Sequence, residues 1–338
     1  MFDDYLDMQN YNTTMRLKPF IYAMLVVGCG FSSCHKHGGK GGSDSNAMVY
    51  VAGYQGIPGF NAAGALWVNG VSATVPNSSG IVSMCLNDTS VYLLNGAPSV
   101  YGAATYWNNM VPATIPNAIF TKSIQALNGD VYVVGGTVES SSSGVGSTAA
   151  ALYFKNGAPV NLTQNLPNVV AAFTNGIAFS GSDVYVCGYL YAGSNDTADA
   201  VYWKNGTLTY LPSGYMAKAI AVSGNDVYVA GTPIHGGDVY WKNGAMQPLG
   251  PDAAIASCIA VVGNDVYVGG TTLGENKAVY WKNGVEVELP GGYAVNAMAV
   301  VGSDVYAAGN NNGGYAVVWK NGVPDTLGIG GASAIVVK

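Results

Sequence analysis

One dipeptide returns through this chain at a near-constant interval. Val-Tyr begins at Val49, Val91, Val131, Val184, Val227, Val266 and Val305, at spacings of 42, 40, 53, 43, 39 and 39 residues. A period of this length means that each unit is one supersecondary element. Such a unit cannot bury its apolar face alone and must stack on its neighbours. The sixth unit shows the shared pattern. Ser257-Cys258-Ile259-Ala260-Val261-Val262 leads through Gly263-Asn264 into Asp265-Val266-Tyr267-Val268-Gly269-Gly270. A variable stretch then leads to Ala278-Val279-Tyr280-Trp281-Lys282, Asn283-Gly284 and Val285-Glu286-Val287-Glu288-Leu289-Pro290.

Each unit therefore reads as four short strands. Asn-Gly between alternating segments is a strong hairpin signal, because a type I′ turn needs positive φ at both central residues. It follows the aromatic segment at Asn69, Asn156, Asn205, Asn243, Asn283 and Asn321, and only Asn108-Asn109 departs from it. A second hairpin is marked by Gly129-Asp130 and by Gly181, Gly224, Gly263 and Gly302, each two residues before an Asp. Four strands in a unit of about 40 residues predict an all-β chain and a β-propeller. The first unit starts at its second strand, Met48–Gly53, while Ser333–Lys338 is a lone first strand at the far end. The expected fold is a seven-bladed propeller of four-stranded antiparallel blades over 48–338, its ring closed by the C-terminal strand.

In segments such as Val131-Tyr132-Val133-Val134-Gly135-Gly136, the units resemble Kelch-type propeller repeats. They are also similar to bacterial propeller lipoproteins that repeat DVYVAG and AVYWKNG. The resemblance covers 48–338. At the end of the Val-Tyr segment paired glycines occur only at Gly135-Gly136 and Gly269-Gly270, and tryptophan directly follows the third-strand tyrosine, so Kelch functions are not carried over. A shared fold does not imply a shared activity.

Composition removes several classes. Of 338 residues, 9% are charged and 49% hydrophobic, far from the low hydrophobicity and high charge of a disordered chain. The net charge is −6, and Arg16 in the N-terminal segment is the only arginine. Nucleic-acid recognition needs clustered Lys and Arg, so it is excluded.

The first 47 residues read as an address. Arg16 and Lys18 precede an apolar run, Phe20–Phe31, and then Ser32-Ser33-Cys34. A basic segment, an apolar segment and small residues compose a secretory signal. Met1–Thr14 is acidic and suits no signal, which makes Met15 the expected start. Small residues before a cysteine resemble the lipobox of bacterial lipoproteins, which implies lipid attachment at Cys34, with Cys29 as the alternative. The expected order is thus 1–14 untranslated or disordered, 15–34 lipoprotein signal and 35–47 flexible Gly-rich linker. The chain would be exported and lipid-anchored in a bacterial cell envelope, on the periplasmic or surface side of the outer membrane.

No catalytic constellation stands out. The six tryptophans and Phe154 share one repeat position, as inter-blade packing requires. Asp130, Asp183, Asp226, Asp265 and Asp304 are turn residues, and Lys155, Lys204, Lys242, Lys282 and Lys320 are solvated strand ends. Cys85, Cys187 and Cys258 fall in non-neighbouring units and read as buried thiols. Asn195–Asp199 is a weak calcium candidate, and no cofactor is expected. The variable connections share one face of the ring, where binding usually sits. Aligning the units places Lys122, Asn175, Lys218, Ser257, Asn296 and Ser333 at the channel mouth on that face, with Tyr191, Tyr293 and Tyr315 nearby. The expected function is a monomeric, non-enzymatic binding or scaffold module for a glycan or peptide. The alternatives are a polysaccharide-active hydrolase or lyase using Asp196, Asp199 or His235, and a subunit of an envelope complex.

Overall fold

The computed structural model describes residues 47–96, 103–140, 147–164, 166–193, 197–250 and 254–338. The cysteines Cys29 and Cys34, and with them the expected signal and linker, lie outside these residues, as do Asn195 and Asp196. Among the described residues every regular element is a strand, β1 to β27. The chain opens with β1 (Val49–Gln55), β2 (Ala63–Val68) and β3 (Val71–Thr74). A first four-stranded antiparallel blade follows: β4 (Ile81–Asn87), β5 (Ser90–Asn95), β6 (Ala104–Asn108) and β7 (Val111–Ile115). The next holds β8 (Ile119–Leu127), β9 (Asp130–Ser140), β10 (Ser147–Lys155) and β11 (Ala158–Asn161). Another holds β12 (Val169–Ser180), β13 (Asp183–Ala192), β14 (Ala198–Lys204) and β15 (Thr207–Tyr210). Then come β16 (Gly214–Ser223), β17 (Asp226–Pro233), β18 (Val239–Lys242) and β19 (Ala245–Pro248). The last of the five holds β20 (Ala254–Val262), β21 (Asp265–Thr272), β22 (Ala278–Lys282) and β23 (Val285–Glu288).

The expected seven separate blades are not what forms. Five separate four-stranded blades stand beside one seven-stranded sheet, which is not itself a blade. Its order is β24 (Gly292–Val301), β25 (Asp304–Asn311), β26 (Tyr315–Lys320), β27 (Val323–Val337), β1, β2 and β3. The cause is β27, a continuous strand of 15 residues. Its first part, Val323–Ile329, pairs with β26, and its second part, Gly330–Val337, pairs with β1. Gly328 and Gly330, at φ 127° and 145°, carry the chain between the two without a loop. The innermost strands β4, β8, β12, β16, β20, β24 and β27 each touch the next, and β27 touches β4, so the cycle closes.

The repeated residues have three separate jobs. The tryptophans and Phe154 are completely buried. Five tryptophans and Phe154 pack across to a neighbouring sheet, as Trp241 of β18 does against Tyr185 and Cys187 of β13, while Trp67 packs between the two halves of the seven-stranded sheet. Cys85, Cys187 and Cys258 are buried as well. At the tight turns, the Asn205 side chain accepts the Val184 N–H at 2.8 Å and donates to Asp183 at 2.7 Å. Lys204 completes this clamp, 2.9 Å from Asp183 and 5.2 Å over the Tyr185 ring. Four further copies use Asp130, Asp226, Asp265 and Asp304 with Lys155, Lys242, Lys282 and Lys320. The lysines are thus more than solvated ends. Hydrogen bonds from Asn205 and then Lys204 hold the Asp183 carboxyl below the usual carboxylate range. The departing turn is framed one residue later than expected, with Asn109 and Met110 at φ 48° and 67° and Asn108 in the lysine position.

The third job belongs to the glycine that ends the Val-Tyr segment. The pairing of first with second strand skips one residue at an equivalent place: Val82, Asn175, Lys218, Ser257, Asn296 and Ser333. In β8 the irregularity spans Ile119 to Ser123 and includes Lys122. Such bulges bend the strand and turn the extra side chain in a new direction. They also push a carbonyl at the partner strand. A Cβ on Gly231 would run into the Met216 carbonyl oxygen, and the same conflict recurs at Gly53, Gly188, Gly270 and Gly309. Gly231→Ala is therefore expected to lower stability by about 1–3 kcal/mol, the usual cost of overpacking. The urea midpoint measures it, and an unchanged midpoint would show that the bulge can relax.

Candidate functional site

The predicted channel-mouth residues are the bulge residues, and several of them bind the molecule to itself. The Asn175 amide donates to the Ala217 carbonyl at 2.7 Å, tying β12 to β16. Asn296 does the same to Ala332 at 2.8 Å, tying β24 to β27. Asn175, Lys218 and Ser333 are buried, while Lys122, Ser257 and Asn296 are half-buried. Lys218 is 8% exposed and its ammonium lies 2.5 Å from the carboxylate of Asp238, itself 5% exposed. The same Asp238 oxygen accepts the Ala256 N–H at 2.8 Å, so this ion pair joins β16 to β20. The Lys218 charge is thereby matched inside the protein. Asn175, Lys218 and Asn296 thus act as inter-blade ties.

Tyr191 belongs to a different feature. Phe120 of β8, Phe173 of β12 and Tyr189 and Tyr191 of β13 form a row of touching rings. Phe120 meets Phe173 edge-on at 6.4 Å, Phe173 stacks on Tyr189 at 5.0 Å, and Tyr189 meets Tyr191 edge-on at 6.0 Å. Tyr215 of β16 extends the row to a third blade, and burial first, then the Tyr215 hydroxyl, raises the pKa of Tyr191. All five rings are half-buried. They lie at the end of the sheets where the variable connections emerge, and cross-strand pairing of Phe173 with Tyr189 fixes two of them on one face. Phe120 has φ 57°, a left-handed backbone that a bulky residue seldom adopts. Strain of this kind persists only where the surroundings impose it, and it clusters at functional sites.

Phe120 and Phe173 were missed because they sit inside first strands, where an aromatic reads as core. The repeat itself held a signal. Each lies two residues before a bulge residue, where the other units have Gly80, Met216, Ile255, Ala294 and Gly331. Tyr293 and Tyr315 belong to the seven-stranded sheet, with the β20–β23 blade between them and the row. His235 is exposed in the connection from β17 to β18, whereas Asp199 lies on β14 of the preceding blade. Among the described residues no three His, Cys, Asp or Glu side chains converge as a metal site would require.

The propeller is also what solved structures resemble. A Pyrococcus horikoshii acylaminoacyl peptidase matches with a TM-score of 0.51 and 10% identity, over 85% of this chain and 51% of that one. A Mycobacterium tuberculosis puromycin-hydrolysing peptidase matches at 0.53 and 10%, over 80% and 50%. The β-propeller domain of the trilobed protease from Pyrococcus furiosus matches at 0.50 and 11%, over 83% and 92%. The chain thus spans about half the length of the two peptidases. At these identities the likeness shows the fold alone. No protein-family model and no curated protein matches the sequence, so the Kelch-type resemblance rests on its motif residues.

The Lys218–Asp238 pair gives a direct test of the inter-blade ties. Lys218→Met leaves a buried carboxylate unmatched and is expected to cost about 3–5 kcal/mol in denaturant unfolding. Removing both charges, with Asp238→Leu, should recover much of that loss, though the Ala256 N–H stays unsatisfied. A single variant as stable as the parent would contradict the pairing.

Proposed function

We propose that this domain is a binding module whose ligand lies along the aromatic row, and that the ligand is a neutral glycan. The observation that carries the reading is the contact of Phe120, Phe173, Tyr189, Tyr191 and Tyr215 across three blades, on the face of variable connections. Half-buried rings offer apolar faces with hydroxyl groups at their edges, which suits the mixed apolar and polar surface of a sugar. The matching of Lys218 by Asp238 takes one expected cation out of play and favours an uncharged ligand over an anionic one. In this reading Lys122 and Tyr191 flank or form the site, whereas Asn175, Lys218 and Asn296 position the strands beneath it. Tyr293 and Tyr315 are not part of it. No catalytic step is assigned.

Two finer structural points belong to the same reading. The seven-stranded sheet acts as two blades that share β27, which would make a ring of seven. The chain is exported and held at a bacterial envelope membrane by acylation, at Cys34 in preference to Cys29. Its own motifs support this, since a basic and apolar leader ends in small residues and cysteine.

The binding reading is tested by titrating linear neutral oligosaccharides, with uncharged peptides as the second arm. Phe173→Ala and Tyr191→Ala are each expected to weaken oligosaccharide binding about tenfold, the effect of losing one well-placed ring contact. Tyr315→Ala should leave it unchanged. Binding of peptides alone would keep the site and change the ligand class. Ring variants that bind as the parent does would remove the site.

A further inference from the structure

The described chain begins at the tight-turn face. Met48 exchanges two backbone hydrogen bonds with Lys338, at 2.7 and 2.9 Å, beside the Asn69-Gly70 turn. Ala47 and Met48 therefore lie at the face opposite the aromatic row. That face is not uniform. The residue after each Asn-Gly-type turn is Val71, Val111, Val285 or Val323 in four adjacent places, at 74%, 66%, 68% and 69% exposure. In the other three places it is Ala158, Thr207 or Ala245. Three neighbouring inner strands on the apolar side, β20, β24 and β27, end in Val262, Val301 and Val337, which line a small cavity of about 40 Å³. In contrast, β4 ends in Asn87 and, on the other side, β8, β12 and β16 end in Leu127, Ser180 and Ser223. The apolar half is centred on the place where the chain emerges. Its two clamp lysines, Lys282 and Lys320, are matched by aspartates at 2.8 and 3.0 Å, and the exposed carboxylates Asp88, Glu286 and Asp325 leave this half with no excess of positive charge.

We propose that this apolar half-face rests on a lipid bilayer and that the aromatic row consequently points away from the membrane. The inference depends on the lipid-anchor reading. Cys34 precedes Ala47 by 13 residues, and a Gly-rich linker of that length has a root-mean-square reach of about 20 Å. An anchored chain is thus held with its tight-turn face near the lipid. Exposed valines then gain by leaving water, as apolar side chains do at an interface. Paired lysines give no preference for anionic lipid, so a zwitterionic surface suffices.

The experiment uses the full acylated chain in phosphatidylcholine vesicles, with a fluorophore on a single introduced thiol at Val71→Cys, Val323→Cys or Phe60→Cys. Phe60, 94% exposed in the β1–β2 connection, reports the opposite face. The native thiols Cys85, Cys187 and Cys258 are buried and stay unlabelled. Quenching by aqueous iodide is expected to fall several-fold at positions 71 and 323 on reconstitution and to stay unchanged at 60. Equal quenching at all three positions, or shielding at 60, overturns the seating while leaving the anchor intact. Shielding at 71 and 323 without vesicles would mean that a second copy covers the face, and also overturns it. A mature chain whose mass carries no acyl group at Cys34 or Cys29 overturns the anchor and the seating together.

Discussion

The backbone hydrogen bonds between β1 and β27 join the two ends of the described chain, and the rest of the structure depends on them. Without β27, β1 would present an unpaired edge, which folded proteins avoid. Inner strands β24 and β4 would also lose the neighbour that completes the cycle. Pairing from Val49↔Val337 to Gln55↔Gly330 removes that edge and brings residues far apart in sequence into one sheet. Because the same strand also pairs with β26, the seam has no loop, and closing the ring merges two units into one sheet. The core clusters on both sides of β27 follow from this, with Ile335 packed beside Ala297 and Ala334 beside Met84.

Within the cycle, the bulge in each inner strand connects packing to the candidate site. The skipped residue is redirected, and chemistry then decides its use. Asparagine reaches the next strand's carbonyl and lysine finds an aspartate. The residue two places earlier is phenylalanine in two units, and both rings enter the aromatic row. A tie and the aromatic row thus share one local distortion. In five units the glycine of the Val-Tyr motif is the visible trace of that distortion, since a Cβ there would meet the displaced carbonyl; β5 carries Asn95 at that place.

Much of the architecture was legible because the repeat is read directly from spacing. Strand number per unit, the Asn-Gly turns and the burial of the tryptophans all follow from periods of 39 to 53 residues. What escaped depended on contacts between units. Nothing local marks β27 as one strand rather than two, since Gly328 and Gly330 look like a loop until pairing on both sides is seen. Lys218 looked like an open cation because its partner, Asp238, stands 20 residues away in a variable connection. The turn at Asn109 was displaced by one residue because an Asn occupies the lysine position as well. The aromatic row was hidden for a related reason. Tyr191 is legible as a residue of the variable face, but Phe120 and Phe173 sit inside first strands of two different units, where each alone resembles an ordinary core residue.

The closure is most directly tested by amide hydrogen exchange of the intact domain. The account predicts that the amides of Tyr50, Ala52, Tyr54 and Val336, which face the β1–β27 seam, exchange only through global unfolding, as slowly as those of β13 or β17. Fast exchange at these four positions, with protection retained in the five separate blades, would show an open ring and contradict it.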